Sequence, residues 1–289
     1  MDVFLPASLE EALEVLAERP ETVPIAGGTD LMVALNGRRL RPDAMIDLTR
    51  LTELRQVRRD EDGVFLGAGV TYARIARELP DVPTLVQASR TVGSAQIRAR
   101  GTVGGNLGTG SPAGDALPVL AAHDARIELA AAGGRRRSVP WREFLLGPKR
   151  TALRDDELIL GARWRPVDGS GSFSKVGTRN AMVIAIASVC LQLDPVARAV
   201  RVALGSVAPT VVRAPEAEDF AARALADAGS WDDPTASIGD DVAREFGELV
   251  ARAASPIDDL RGSAVYRRHA LTVLARRGLA WATSGEAAA

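Results

Sequence analysis

Apolar and polar positions along this chain change period every few residues, and each period predicts an element. Leu9, Ala12, Leu13 and Leu16 recur at helical spacing, and Ser8-Leu9-Glu10-Glu11 is a capping box whose hydroxyl and carboxylate serve the open N–H groups of the first turn. Pro20 follows the end of that helix. Val23-Pro24-Ile25 reads as a short apolar strand that runs through Ala26, Gly27, Gly28, Thr29 and Asp30 into a helix near residues 31–36, with a second strand at 44–47. This is a small β–α–β unit, too small to hold a dinucleotide alone.

Over residues 54–164 the period shortens to strands divided by turn signals. Asp60-Glu61-Asp62-Gly63 predicts a hairpin turn, residues 64–69 a strand, and Thr71 a cap for a helix through Ala73, Ile75 and Ala76. Ala132-Gly133-Gly134 turns a hairpin between residues 126–131 and 135–139, and 157–164 is one more strand. Residues 166–172 have linker composition. Beyond them, residues 173–177, 183–193 and 199–207 predict three antiparallel strands with a turn at Asp194-Pro195, followed by helices at 214–226, 240–253 and 263–281 and an alanine-rich tail expected to fray. The pattern predicts an α+β fold of two domains. The first covers residues 1–168, with a small βαβ section over residues 1–52 and a larger α+β section over residues 53–168; the second, residues 172–289, is a three-stranded antiparallel sheet with helices.

The chemistry concentrates in residues 102–120, Thr-Val-Gly-Gly-Asn-Leu-Gly-Thr-Gly-Ser-Pro-Ala-Gly-Asp-Ala-Leu-Pro-Val-Leu. We read this stretch as a loop that holds a nucleotide. Gly104, Gly105 and Gly108 remove Cβ atoms that would keep the backbone from an oxygen-rich ligand and permit positive φ. Successive N–H groups in such a wrap bind anions. Asn106, Thr109 and Ser111 offer hydrogen bonds to phosphate or hydroxyl oxygens, whereas an ionised Asp115 only accepts, which suits a ribose or polyol hydroxyl. Asp115 also stands where it would cap a short helix. The Ala26–Asp30 turn is a second such place, a strand end with paired glycines and a hydroxyl before a helix start. Two loops of this kind suggest a dinucleotide, although neither GxGxxG nor GxxxxGK[ST] occurs.

Composition narrows the partners. The 36 basic and 37 acidic residues nearly cancel, so no global field favours nucleic acid or a membrane surface, and residues 38–41 and 135–137 are read as solvated basic turns. The single cysteine, Cys190, excludes an intrachain disulfide and a cluster held by this chain alone; in its apolar run it reads as a buried hydrophobe. His123 and His269 have no metal-ligand spacing with it and are expected at the surface. The N-terminus has no signal-peptide pattern and no run approaches a membrane span, so a cytoplasmic protein is expected.

Residues 24–31 (Pro-Ile-Ala-Gly-Gly-Thr-Asp-Leu), 96–125, 173–180 (Phe-Ser-Lys-Val-Gly-Thr-Arg-Asn) and 256–279, in this order, resemble the medium, FAD-binding subunit of the molybdenum hydroxylases, among them carbon monoxide dehydrogenase, xanthine dehydrogenase and aldehyde oxidoreductases. The resemblance runs essentially end to end. It implies a PCMH (vanillyl-alcohol-oxidase-type) FAD-binding domain followed by the carbon-monoxide-dehydrogenase flavoprotein C-terminal domain, with FAD bound non-covalently. The cofactor-binding residues it implies are Ile25, Ala26, Gly27, Gly28, Thr29, Asp30 and Leu31 in one loop, and Thr102, Val103, Gly104, Gly105 and Asn106 in the other. It adds Ser111 and Asp115 of an SPxxD pattern, Leu153 near the ring, and Lys175 near the flavin. Val92 stands where some eukaryotic relatives carry an aromatic residue on the ring.

The implied activity is electron transfer. A large molybdenum-cofactor subunit oxidises substrate, a small [2Fe–2S] subunit relays electrons, and this oxidoreductase subunit passes them to an external acceptor, within a dimer of heterotrimers. No residue of this chain is assigned as catalytic in proton transfer, and none as a metal ligand. The residues Asp259-Leu260-Arg261-Gly262-Ser263-Ala264-Val265-Tyr266-Arg267-Arg268-His269 offer a docking face. Two other readings of the same loops are a self-contained flavin oxidase or reductase and a non-catalytic nucleotide-binding assembly module.

Overall fold

A computed structural model describes residues 1–233, 236 and 238–284. The alanine-rich tail lies outside the described residues. The chain forms two compact units: Met1–Ile75, Ser94–Ser111 and Asp124–Arg165 make the first, and Ala76–Gly93, Pro112–His123 and Pro166–Ala289 the second.

In the first unit, the strand Asp2–Phe4, which the sequence pattern did not reveal, pairs in parallel with Ala44–Asp47, and Val23–Ile25 pairs with the other edge of Ala44–Asp47. Helix Leu9–Glu18 starts at Ser8, whose hydroxyl accepts from the N–H of Glu11, and packs against the strands Arg126–Ala131 and Glu157–Trp164. Those two strands belong to a five-stranded antiparallel sheet ordered Val57–Asp60, Gly63–Gly67, Glu157–Trp164, Arg126–Ala131, Arg135–Pro140. Both predicted hairpins are present, with Gly63, Gly133 and Gly134 at positive φ. One of the basic turn residues is not solvated as expected. Arg137 donates at 2.7 Å to each carboxylate oxygen of buried Glu157 and at 2.6 Å to the carbonyl of Ala152.

The second unit is organised by the strand Ala187–Asp194, all eight residues of which are buried. Period-2 alternation puts Ala187, Val189, Leu191 and Leu193 on one face, in a core shared with Phe246, Leu271, Ala275 and Leu279 of the helices Asp240–Arg252 and Ala264–Thr283. Such a strand needs cover on its opposite face as well. Helices Pro83–Thr91 and Ala116–Ala122, which precede the linker in sequence, supply it. The sheet runs Gly171–Val176, Ala187–Asp194, Ala199–Gly205, Val212–Arg213, so a short fourth strand joins the three expected. His123 departs from its expected surface position. It is 6% exposed, and its Nε2 lies 3.1 Å from the Thr84 hydroxyl, because the helix that carries it is buried along its whole length. Among the described residues no helix is long and apolar enough to cross a membrane.

Arg267 pins the last helix. It is 4% exposed and donates to the carbonyls of Ile186 and Ser206, both at 2.6 Å, and to Asp259 Oδ1 at 2.7 Å. Some of the segment expected to dock a partner is therefore interior scaffolding. Burial pushes the Asp259 carboxyl up, but the N–H groups of Arg261 and Gly262 and the Arg267 guanidinium outweigh it and hold the carboxyl at about 2. A carboxyl lowered in the folded state contributes stability that is complete above its ordinary value of 3.8 and is lost as pH falls to about 2. We therefore expect Asp259→Asn to lower the urea midpoint at pH 7, with the gap to the unsubstituted protein closing across that window when midpoints are measured against pH.

Candidate functional site

The strand Val23–Ile25 delivers the Ala26–Asp30 turn to its place in the first unit. Gly28 has φ +73°, a left-handed conformation suited to glycine. Gly27 packs so closely on the neighbouring backbone that a Cβ there would lie 2.0 Å from the carbonyl oxygen of Arg100. That contact places the turn beside the segment leading into Thr102. A second tie is the Thr109 hydroxyl, which donates to Asp30 Oδ2 at 3.2 Å. Among the described residues, the N–H groups of Gly27, Gly28 and Thr29 have no protein acceptor. Three open donors on a turn without bulky side chains form a cradle for an anion.

The second stretch is not the loop that its glycines suggested. Thr102 caps a helix, Val103–Thr109, its hydroxyl accepting from the N–H of Gly105 at 3.0 Å. Gly104, Gly105 and Gly108 sit in this right-handed helix, and the positive φ falls instead on Gly110, at its C-cap. Packing overrides the poor helix propensity of glycine here. A Cβ on Gly104 would lie 2.5 Å from Ala68 Cβ, so only glycine lets the helix reach the end of the neighbouring strand. A Cβ on Gly105 would meet only the Thr102 hydroxyl, at 3.2 Å, and otherwise face open space.

The donors of this stretch are also differently used than expected. The N–H groups of Val103, Gly104, Gly105 and Asn106 go to Val70 O, Ala68 O, Thr102 Oγ1 and Thr102 O. What the helix leaves open is a bare glycine surface and Asn106 Oδ1, buried with no hydrogen-bond partner among the described residues. The stretch follows a helix, Ala95–Arg100, whereas the Ala26–Asp30 turn follows a strand. Ser111 and Leu153 are half-buried in the same unit. The N–H of Lys149 donates to Gly110 O at 3.0 Å, which brings the turn before Leu153 to the C-terminal end of the glycine helix.

Asp115 and Lys175 belong to the second unit. Asp115 stands at the N-cap position of helix Ala116–Ala122 but makes no cap hydrogen bond. Its Oδ2 instead accepts from Lys175 Nζ at 2.5 Å and from the Thr91 hydroxyl at 3.3 Å, with 7% of the Asp115 and 8% of the Lys175 side chain exposed. Lys175 Nζ also donates to Thr91 O at 2.9 Å and Val183 O at 3.2 Å. Burial pushes the Asp115 carboxyl above its usual range, and the charge and hydrogen bonds of Lys175 and Thr91 offset some of that rise. Asp115 Oδ1 is buried without a partner among the described residues. Sequence reasoning missed Thr91 and Val183, because both meet Lys175 through backbone carbonyls that carry no residue signature. Val92, next along from Thr91, is half-buried.

The donor set of the first unit fits the phosphate side of a dinucleotide: open backbone N–H groups for an anion, a Cβ-free helix face, and one orphaned buried acceptor, Asn106 Oδ1, for an N–H or hydroxyl group. Residues 1–163 match the family described as the FAD binding domain in molybdopterin dehydrogenase, and residues 172–282 the one described as the CO dehydrogenase flavoprotein C-terminal domain. The chain is 33% identical, over 92% of both sequences, to the glyceraldehyde dehydrogenase medium chain of Sulfolobus acidocaldarius. It is 31% identical to the nicotine 6-hydroxylase medium subunit of Paenarthrobacter nicotinovorans, over 94% of this chain and 93% of that one. Its fold matches carbon monoxide dehydrogenase from Hydrogenophaga pseudoflava, in a form lacking the Mo-pyranopterin moiety of the molybdenum cofactor, with a TM-score of 0.84, 26% identity and 98% of both chains covered. Matches to both domains, at full length and on a site with the donors a dinucleotide needs, place this chain in the family of FAD-binding subunits of the molybdenum hydroxylases.

Proposed function

We propose that this chain collects electrons from the [2Fe–2S] clusters of a small partner subunit, which a large molybdenum-cofactor subunit feeds, and passes them to an external acceptor. The observation that supports this best is the set of open donors at Gly27, Gly28 and Thr29 beside the bare glycine helix. In this reading Ile25–Leu31 and Thr102–Asn106 hold the pyrophosphate side of FAD, with Ser111, Leu153, Asp115 and Lys175 contributing to the rest. When bound, FAD supplies a two-electron store that exchanges single electrons. The chain's own residues bind it, orient it and keep water from its polar edge. Attachment is non-covalent: Cys190 is fully buried, and burial pushes its thiol up to about 12, far from any nucleophilic role. The domain boundary falls between residues 168 and 172, and the complex is a cytoplasmic dimer of heterotrimers.

The test is to purify the chain alone, record its visible spectrum, and identify any cofactor released by heat or acid. One FAD per chain is the expected result, and a colourless protein that also fails to take up added FAD would overturn the reading. Two glycine substitutions separate packing from binding. Gly104→Ala forces a Cβ onto Ala68 and is expected to destabilise the protein by roughly 1–3 kcal/mol or more, seen as a lower urea midpoint. Gly105→Ala meets only the Thr102 hydroxyl, at 3.2 Å, and restores helix propensity of up to ~1 kcal/mol, so its midpoint is expected to shift far less than that of Gly104→Ala. Its affinity for FAD, measured by flavin fluorescence titration, is expected to fall about tenfold, equivalent to ~1.4 kcal/mol.

A further inference from the structure

A lysine near a flavin invites the assumption that its ammonium touches the ring. The geometry around Lys175 argues otherwise. An ammonium has three N–H donors and no acceptor. Those of Lys175 are matched by Asp115 Oδ2, Thr91 O and Val183 O, at 2.5, 2.9 and 3.2 Å. The three acceptors come from separate places: the turn entering helix Ala116–Ala122, the last residue of helix Pro83–Thr91, and the loop after strand Gly171–Val176. With the side chain 8% exposed, nothing on Lys175 remains to meet a ligand. The open group is its partner's second oxygen, Asp115 Oδ1. A buried acceptor left empty is unfavourable unless a ligand donates to it.

Resting on the FAD reading above, we infer that Lys175 is a positioning residue: it acts on the bound flavin through Asp115, holding that carboxylate ionised and its Oδ1 aimed, and makes no contact of its own. Among the described residues, Lys175 is the charged group acting on Asp115, with the Thr91 hydroxyl as the second donor. Without the ammonium the buried carboxyl takes up a proton at higher pH, and a neutral carboxyl is the weaker acceptor. The loss of affinity in a lysine variant should therefore follow the titration of the Asp115 carboxyl, whereas the loss of a direct lysine contact would not.

The experiment titrates FAD into the apoprotein, following flavin fluorescence, at intervals between about pH 6 and about pH 9, for the unsubstituted chain, Lys175→Met, Asp115→Asn and the double variant. The unsubstituted chain should bind FAD with flat affinity. Lys175→Met should bind roughly 10- to 100-fold more weakly at the acid end and recover as pH rises, the scale of one hydrogen bond to a charged acceptor. Asp115→Asn should be weaker and flat, and the double variant should match it, since a lysine that acts through Asp115 has nothing left to act on. Should Lys175→Met fail to fold, as its urea midpoint would show, the comparison of Asp115→Asn with the charge-free double variant decides alone. A flat loss in Lys175→Met, or a double variant weaker than Asp115→Asn, would overturn the role given to Lys175. An unsubstituted chain that binds no FAD would overturn the flavin reading itself.

Discussion

A carboxylate and an ammonium held 2.5 Å apart and out of water are the constraint around which the second unit is arranged. Removing one partner from such a pair typically destabilises by ~3–5 kcal/mol, because the other is left charged and buried. The surroundings are therefore bound to keep both. The end of one helix, the start of another and a loop beyond the first strand of the sheet must all meet Lys175 for its three donors to be matched. Helices Pro83–Thr91 and Ala116–Ala122, which pack with the second unit to cover its sheet, thereby bring two of the three acceptors to Lys175. The pair also explains the fate of Asp115, whose side chain could have capped its own helix but answers the stronger demand of a cation.

Glycine does two opposite things in the first unit. At Gly27 and Gly104 the missing Cβ lets backbones approach to distances that no other residue permits. At Gly105 the same absence leaves a surface bare. The first kind builds the platform and the second exposes it. Because the N–H groups of the glycine helix are consumed by Val70, Ala68 and Thr102, the donors for an anion come from the turn at Gly27–Thr29 instead. The division of labour between the two glycine stretches is thus one of shape against hydrogen bonding.

Much was legible in the chain itself. The capping box at Ser8, the hairpin turns at Asp60–Gly63 and Gly133–Gly134, the long C-terminal helices and the burial of Cys190 follow from local chemistry and period, which neighbours in sequence settle. The motifs around Gly27, Gly104 and Asp115 likewise mark the residues that matter, since few chemistries ask for paired glycines followed by amide, hydroxyl and carboxylate.

What the sequence could not settle were the choices made between distant segments. The glycines of residues 102–110 looked like a loop because their propensity is poor, and became a helix whose first N–H groups, those of Val103, Gly104 and Gly105, are accepted by Val70, Ala68 and the Thr102 hydroxyl. His123 was expected at the surface and Arg267 on a docking face, and both are interior because the sheet beside them is covered on both faces. The sequence by itself determined which residue types stand at the site and the elements that carry them, because period, capping and turn chemistry act over a few residues. Only the tertiary structure decided which donors remain open, which acceptors are orphaned and which charge answers which, because hydrogen-bond partners and burial are properties of the packed whole.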